Sequence, residues 1–118
     1  MKVLFVDDEA DIRELIEVAL ITEEDIEPHF AGSGAEAIER IFEDRFDIIV
    51  LDVMMPPPDG LEVLGLAGEK ARENNTKIVM CTAKTSAEAE VEFRSLGADF
   101  VLHKPFKPLK MADYLRGL

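Results

Sequence analysis

Apolar residues along this chain fall into two alternating kinds of segment. Short continuous runs rich in Val, Ile, Leu and Phe occupy Lys2–Val6, Ile26–Phe30, Asp47–Leu51, Lys77–Cys81 and Phe100–His103. They lack a strict apolar–polar alternation, the pattern of strands buried on both faces in a parallel sheet. Between them, apolar residues recur at helical spacing. Ile12, Leu15, Ile16, Ala19 and Leu20 form one stripe, with Asp11, Arg13, Glu14 and Glu17 opposite. Ser33 and Glu36 have the spacing of a capping box and precede Ile38, Ile41 and Phe42. Thr85 and Glu88 repeat that spacing ahead of Ala89, Phe93 and Leu96, and Gly97 is a natural stop. A helix from about Leu61 to Glu73 is opposed by Gly65 and Gly68, and a last one starts near Pro108 and carries Leu109, Ala112 and Leu115.

Five β/α units in a row imply an α/β three-layer sandwich with right-handed crossovers. The 118 residues suit one domain, and no internal repeat, low-complexity tract or linker divides them. At 47% hydrophobic the chain can bury a core. The start, Met1 to Val6 followed by Asp7, Asp8 and Glu9, lacks the layout of a signal peptide, and the longest apolar run is too short to span a bilayer. A cytoplasmic chain with no membrane contact is expected. Thirteen Lys and Arg against 25 Asp and Glu give a charge of −12, which repels nucleic acid backbones, so no nucleic acid partner is expected. The single cysteine, Cys81, rules out an internal disulfide and reads as a core thiol.

In an open parallel sheet, ligands bind beyond the carboxyl ends of the strands. Asp7 and Asp8 follow the first apolar run, Asp52 the third, Thr82 the fourth and Lys104 the fifth. Three carboxylates, a hydroxyl and an ammonium are therefore expected at one end of the sheet. Crowded carboxylates ionise together only with a cation among them. An all-oxygen set without His or Cys suits Mg²⁺ or Mn²⁺, which keeps room for phosphate oxygens. Phosphoryl transfer asks a protein mainly for positioning and countercharge, and these groups supply both.

Four segments together resemble the response-regulator receiver domains of two-component signalling. VLFVDDEADIRELI resembles their first strand and helix, LDVMMPPPDG their phospho-acceptor signature, CTAK their switch Thr/Ser-Ala segment, and GADFVLHKPF their terminal Lys-Pro segment. The resemblance covers essentially the whole chain. It implies a single receiver domain over residues 1–118 without an output domain, with the (βα)5 flavodoxin-like fold and sheet order 2-1-3-4-5. It further implies that Asp52 is the phospho-acceptor, that Asp8 binds Mg²⁺ directly with Asp7 in support, and that Met54 adds its backbone carbonyl. Thr82 would bind a phosphoryl oxygen, Lys104 would bridge the carboxylate and the phosphoryl group, and the Lys104–Pro105 bond would be cis. The partners implied are a histidine kinase or histidine phosphotransfer protein as donor and a downstream protein. A phosphorylation-linked homodimer through the fourth and fifth helices is also open.

The sequence departs from the family at two places. The position three before Lys104, usually aromatic, is Val101, and Phe100 beside it belongs to the other face of a strand. The switching signal is therefore expected to use a different face. Pro56, Pro57 and Pro58 stiffen the loop after the acceptor. His29 and His103 are read as structural or exposed, Met54 and Met55 as loop and core residues, and Val91 as an exposed contact. Three other functions compete with this one. A phosphorylation-independent interaction module fits Val101. A Mg²⁺-dependent phosphatase would want an acid where Met54 stands. Flavin binding would need hydroxyl-rich phosphate loops that are lacking.

Overall fold

A computed structural model describes residues 1–83 and 86–118. Strands β1 (Lys2–Val6), β2 (Glu27–Ala31), β3 (Ile48–Asp52), β4 (Lys77–Thr82) and β5 (Phe100–His103) alternate with helices. These are α1 (Ala10–Leu20), α2 (Gly34–Glu43), α3 (Gly60–Glu73), α4 (Ala87–Ser95) and α5 (Met111–Arg116). The strands pair in parallel in the order β2-β1-β3-β4-β5, the flavodoxin-like arrangement expected.

Both faces of the sheet are covered, because successive side chains of a strand point to opposite sides. Val3, Phe5 and Val50 pack under α1 and α5, against Ile16, Leu20 and Met111. Leu4, Leu51 and Met80 pack under α2, α3 and α4, against Ile41, Val63 and Phe93. Phe100 joins the first of these clusters and Val101 the second, so the two residues do face opposite ways.

Helix ends follow local chemistry. Ser33 Oγ accepts the Glu36 N–H at 3.1 Å, but the Glu36 carboxylate takes the Gly32 N–H, so the expected box closes one residue early. The full reciprocal box belongs to α3, where Asp59 and Glu62 cap each other. That start offsets the propensity lost at Gly65 and Gly68. Thr85 lies outside the described residues, and the cap of α4 is Ser86, whose side chain accepts the Ala89 N–H at 3.2 Å. Gly97 stops α4 with φ +110°, a left-handed backbone that suits glycine. Pro108 opens a 3₁₀ turn over Pro108–Lys110 rather than the last α-helix.

Four apolar residues expected on the core side are exposed: Leu15, Phe42, Leu96 and Leu109. Leu15 and Phe42 each neighbour a buried isoleucine, Ile16 and Ile41, and one helical step turns a side chain by about 100° away from the seam. Leu96 caps α4 and Leu109 sits in the 3₁₀ turn, both outside regular helix.

The loop after β3 is pressed against its surroundings. A side chain at Gly34 would begin 2.0 Å from the carbonyl oxygen of Pro58, and one at Gly60 would begin 2.3 Å from that of Asp52. The Pro57–Pro58 and Lys104–Pro105 bonds are cis, the second as the family resemblance implies.

Candidate functional site

Register brings the candidate residues to one level. Val6 lies beside Leu51, Asp52 beside Cys81, and Thr82 beside His103. Asp7 and Lys104 therefore start the loops at the end of the sheet where β3 and β4 finish. Asp52 and Thr82 are the last residues of their strands rather than one step past them.

Asp7, Asp52 and Thr82 are buried, whereas Asp8 is exposed at the mouth. One carboxylate oxygen from each of Asp7, Asp8 and Asp52 lies within 4.8 Å of the others. Lys104 Nζ is 3.0 Å from Asp52 Oδ1 and 3.6 Å from Asp7 Oδ2. The Met54 N–H donates to Asp52 Oδ1 at 3.3 Å, and the Glu9 N–H donates to Asp7 Oδ1 at 2.9 Å. The Lys104 N–H donates to the Thr82 carbonyl at 2.8 Å, tying the loop after β5 to the end of β4.

Burial raises the pKa of Asp52. The hydrogen bond and charge of Lys104 oppose that rise, and Asp7 adds to it. For Lys104, burial acts downward, but the Asp52 carboxylate and Asp7 outweigh it and hold the ammonium above its usual range. One ammonium thus serves two buried carboxylates, with a third beside them. The donor set is all oxygen and carries more negative charge than Lys104 offsets, so the residues fit a hard divalent cation such as Mg²⁺ or Mn²⁺.

The remaining candidates fall into place around this site. The Met54 side chain is exposed and Met55 is buried. Cys81 is buried in the core, and burial pushes its thiol pKa up to about 12. His29 contacts Glu27 at 2.6 Å and Arg40 at 2.9 Å, and His103 reaches Glu90 of α4 at 3.5 Å. Val91 is exposed. Helical spacing places Arg13 on the polar side of α1. In the structure its Nη1 donates to the Asp7 carbonyl at 2.6 Å, a role that helical periodicity does not signal.

Beside the site, Glu9, Ile12, Leu15, Lys104, Pro105 and Phe106 line much of a cavity of about 390 Å³. Leu15 also belongs to a neighbouring shallow cavity along α1, of about 620 Å³, where Val18 and Ile21 stand among Asp11, Glu14 and Glu17. No helix among the described residues is long and apolar enough to cross a membrane.

The chain is similar in sequence and in fold to known proteins. The chain is 38% identical to the transcriptional regulatory protein SrrA of Staphylococcus aureus over 99% of its own length and 47% of that protein's. It spans about half the length of the curated relatives it matches. Among solved structures it resembles the chemotaxis response regulator CheY4 of Vibrio cholerae, with a TM-score of 0.86, 34% identity, and coverage of 98% of this chain and 96% of that one. The receiver domain of the Francisella response regulator 1452 matches with a TM-score of 0.84 and 31% identity, covering 98% of this chain and 93% of that one. The family model of the response regulator receiver domain matches residues 3–116, and the chain belongs to that family.

Proposed function

We propose that this chain is a phospho-acceptor that takes a phosphoryl group onto Asp52 from a phosphohistidine on a histidine kinase or histidine phosphotransfer protein. The observation that carries the reading is Lys104 Nζ 3.0 Å from Asp52 Oδ1, at the edge of the three-carboxylate cluster. A carboxylate oxygen of Asp52 attacks phosphorus, the P–N bond breaks, and its electron pair leaves with the imidazole. Lys104 holds the carboxylate in place and then pairs with a phosphoryl oxygen. The Thr82 hydroxyl is the second such partner, and its movement is the start of the switch. Asp7, Asp8, Asp52 and the backbone carbonyl of Met54 are the residues that would hold Mg²⁺ or Mn²⁺. When bound, the ion supplies countercharge to the phosphoryl oxygens in a loose transition state. The chain assists its own phosphorylation and dephosphorylation and is not a turnover enzyme, since Met54 stands where a phosphatase would place a general acid.

The apolar strip Leu15, Val18 and Ile21 runs from the cavity beside Lys104 along α1. We assign it to the donor. The occupant is a helix with an apolar stripe, flanked by Lys or Arg that answer Asp11, Glu14 and Glu17. The phosphorylated state then acts on a downstream protein. We place the chain in the cytoplasm as a single receiver unit.

The test is incubation with a small acyl-phosphate or phosphoramidate donor, with and without Mg²⁺, read by intact mass. The expected result is a Mg²⁺-dependent gain of one phosphoryl group that disappears in Asp52→Ala. No gain under any condition would sink this reading. It would favour a phosphorylation-independent interaction module, the alternative that Val101 at the usual aromatic position supports.

A further inference from the structure

Arg13 sits within α1, and the chemistry proposed above does not use it. Its Nη1 donates to the carbonyl oxygen of Asp7 at 2.6 Å. Its guanidinium also lies flat over Gly32 in the loop after β2. A Cβ added to Gly32 would meet Nη1 at 3.1 Å, Cζ at 3.2 Å and Nη2 at 3.3 Å. The planar fork is thus held between two loops at the carboxyl end of the sheet.

The carbonyl that Arg13 holds belongs to the peptide unit joining Asp7 to Asp8. A peptide unit is planar, so the direction of this carbonyl fixes ψ of Asp7 and φ of Asp8 together. Those two torsions set how the two carboxylates face relative to each other. The remaining contacts act on Asp7 alone: its N–H donates to the Ala31 carbonyl at 3.2 Å, its Oδ1 accepts from Glu9, and its Oδ2 lies 3.6 Å from Lys104 Nζ. Asp8 is exposed, and among the described residues its side chain has no hydrogen bond or ion pair. Its approach to within 4.8 Å of Asp7 and Asp52 is therefore left to the backbone.

We infer that Arg13 is a positioning residue for the cation site, orienting the Asp7–Asp8 peptide so that both carboxylates turn towards Asp52, with Gly32 kept small to seat its guanidinium. The inference rests on the proposed reading of that cluster as a Mg²⁺ or Mn²⁺ site. Lysine, a point charge without a planar fork, cannot both reach the carbonyl and lie over Gly32. A purely electrostatic role predicts the opposite sign, because removing a cation beside three carboxylates would tighten the binding of another cation.

The experiment is calorimetric titration of MgCl2 into the full chain and its variants, with the thermal midpoint of each measured in EDTA. Arg13→Ala is expected to bind Mg²⁺ about tenfold more weakly, the scale typical when a group that orients metal ligands is lost. Arg13→Lys should recover part of that loss. Gly32→Ala, which displaces the guanidinium by a few tenths of an ångström, should weaken binding less, and should add nothing in the Arg13→Ala background. Additive losses would mean that Gly32 does not act through Arg13. Equal or tighter binding by Arg13→Ala overturns the inference while leaving the metal site intact. Absence of binding by the wild-type chain would sink the site and the inference together. If Arg13→Ala does not fold in EDTA, Gly32→Ala decides, and unchanged affinity there overturns the proposal.

Discussion

Lys104 is shared between two buried acids, with its Nζ 3.0 Å from Asp52 Oδ1 and 3.6 Å from Asp7 Oδ2. Burial nevertheless wins at Asp52, and its pKa is raised above the ordinary carboxylate value. The folded state therefore holds that proton more firmly than the unfolded state does. The favourable contribution is present at low pH and is lost as pH rises through the folded pKa. Above the ordinary carboxylate range this group therefore opposes folding. Asp52→Asn is expected to raise the thermal midpoint by a few degrees at pH 7 in metal-free buffer. MgCl2 should then stabilise the wild-type chain more than the variant, because a ligand stabilises the state that binds it. Circular dichroism melts with and without EDTA check both halves. A lower midpoint for the variant would show that pairing with Lys104 outweighs burial.

Docking along α1 makes a different demand. Val18 is 68% exposed, so Val18→Glu should change stability by less than about 0.5 kcal/mol. Its phosphorylation by a small donor should be unchanged. Transfer from a phosphorylated donor protein should slow by about tenfold, equivalent to roughly 1.4 kcal/mol of lost interaction. Parallel time courses with the two kinds of donor read the difference, and equal rates with the protein donor would remove α1 from the interface.

At the opposite end of the fold, Arg116 of α5 grips the loop before β2. Its Nε and Nη2 donate to the two carboxylate oxygens of Asp25 at 2.9 and 2.7 Å, and Nη2 also reaches Glu23. The hydrogen bond from Arg116 lowers the Asp25 pKa from 3.8 to about 2. A lowered carboxyl pKa contributes stability that is present above the unfolded value and is lost as pH falls through the folded one. Urea midpoints measured from pH 5 to pH 2 should fall less steeply with acidification in Arg116→Ala than in the wild-type chain. The difference should be concentrated between about pH 4 and pH 2 and should shrink in high salt, since the groups are exposed.

Cys81 should be unreactive in the native state. The thiolate is the reactive form, and burial pushes this thiol pKa up to about 12. A thiol reagent at pH 7.5 should label the native chain only slowly and the urea-unfolded chain at once, as read by absorbance or intact mass. Rapid native labelling would contradict the packing of β4 against β3.

The layer order and the end of the sheet that carries the site were readable in the sequence because both depend on patterns the chain repeats. Five buried runs announce a parallel sheet, and the residues ending them must gather at one edge, as Asp7, Asp52, Thr82 and Lys104 do. What escaped depends on single contacts. An arginine such as Arg13 looks like any solvated helix charge until its acceptor, the Asp7 carbonyl, is seen. Leu15 has the spacing of a core residue, yet α1 rests on Ile16 and Leu20, and one helical step carries Leu15 to the surface. At α3 the helix-weakening Gly65 and Gly68 mask the stronger signal of its start, the Asp59 and Glu62 pair. Val101 and Phe100 show the reverse case, since strict strand alternation assigned their faces correctly.

The contact between Gly34 and the Pro58 carbonyl binds two distant stretches of sequence into one unit of exchange. The three-proline loop is consequently not a portable module. Transplanted into a relative with a larger residue at the position of Gly34, it would meet a side chain where its own backbone must lie. A chimera that carries the loop has to carry the glycine as well, and a library that randomises one without the other would sample mostly misfits.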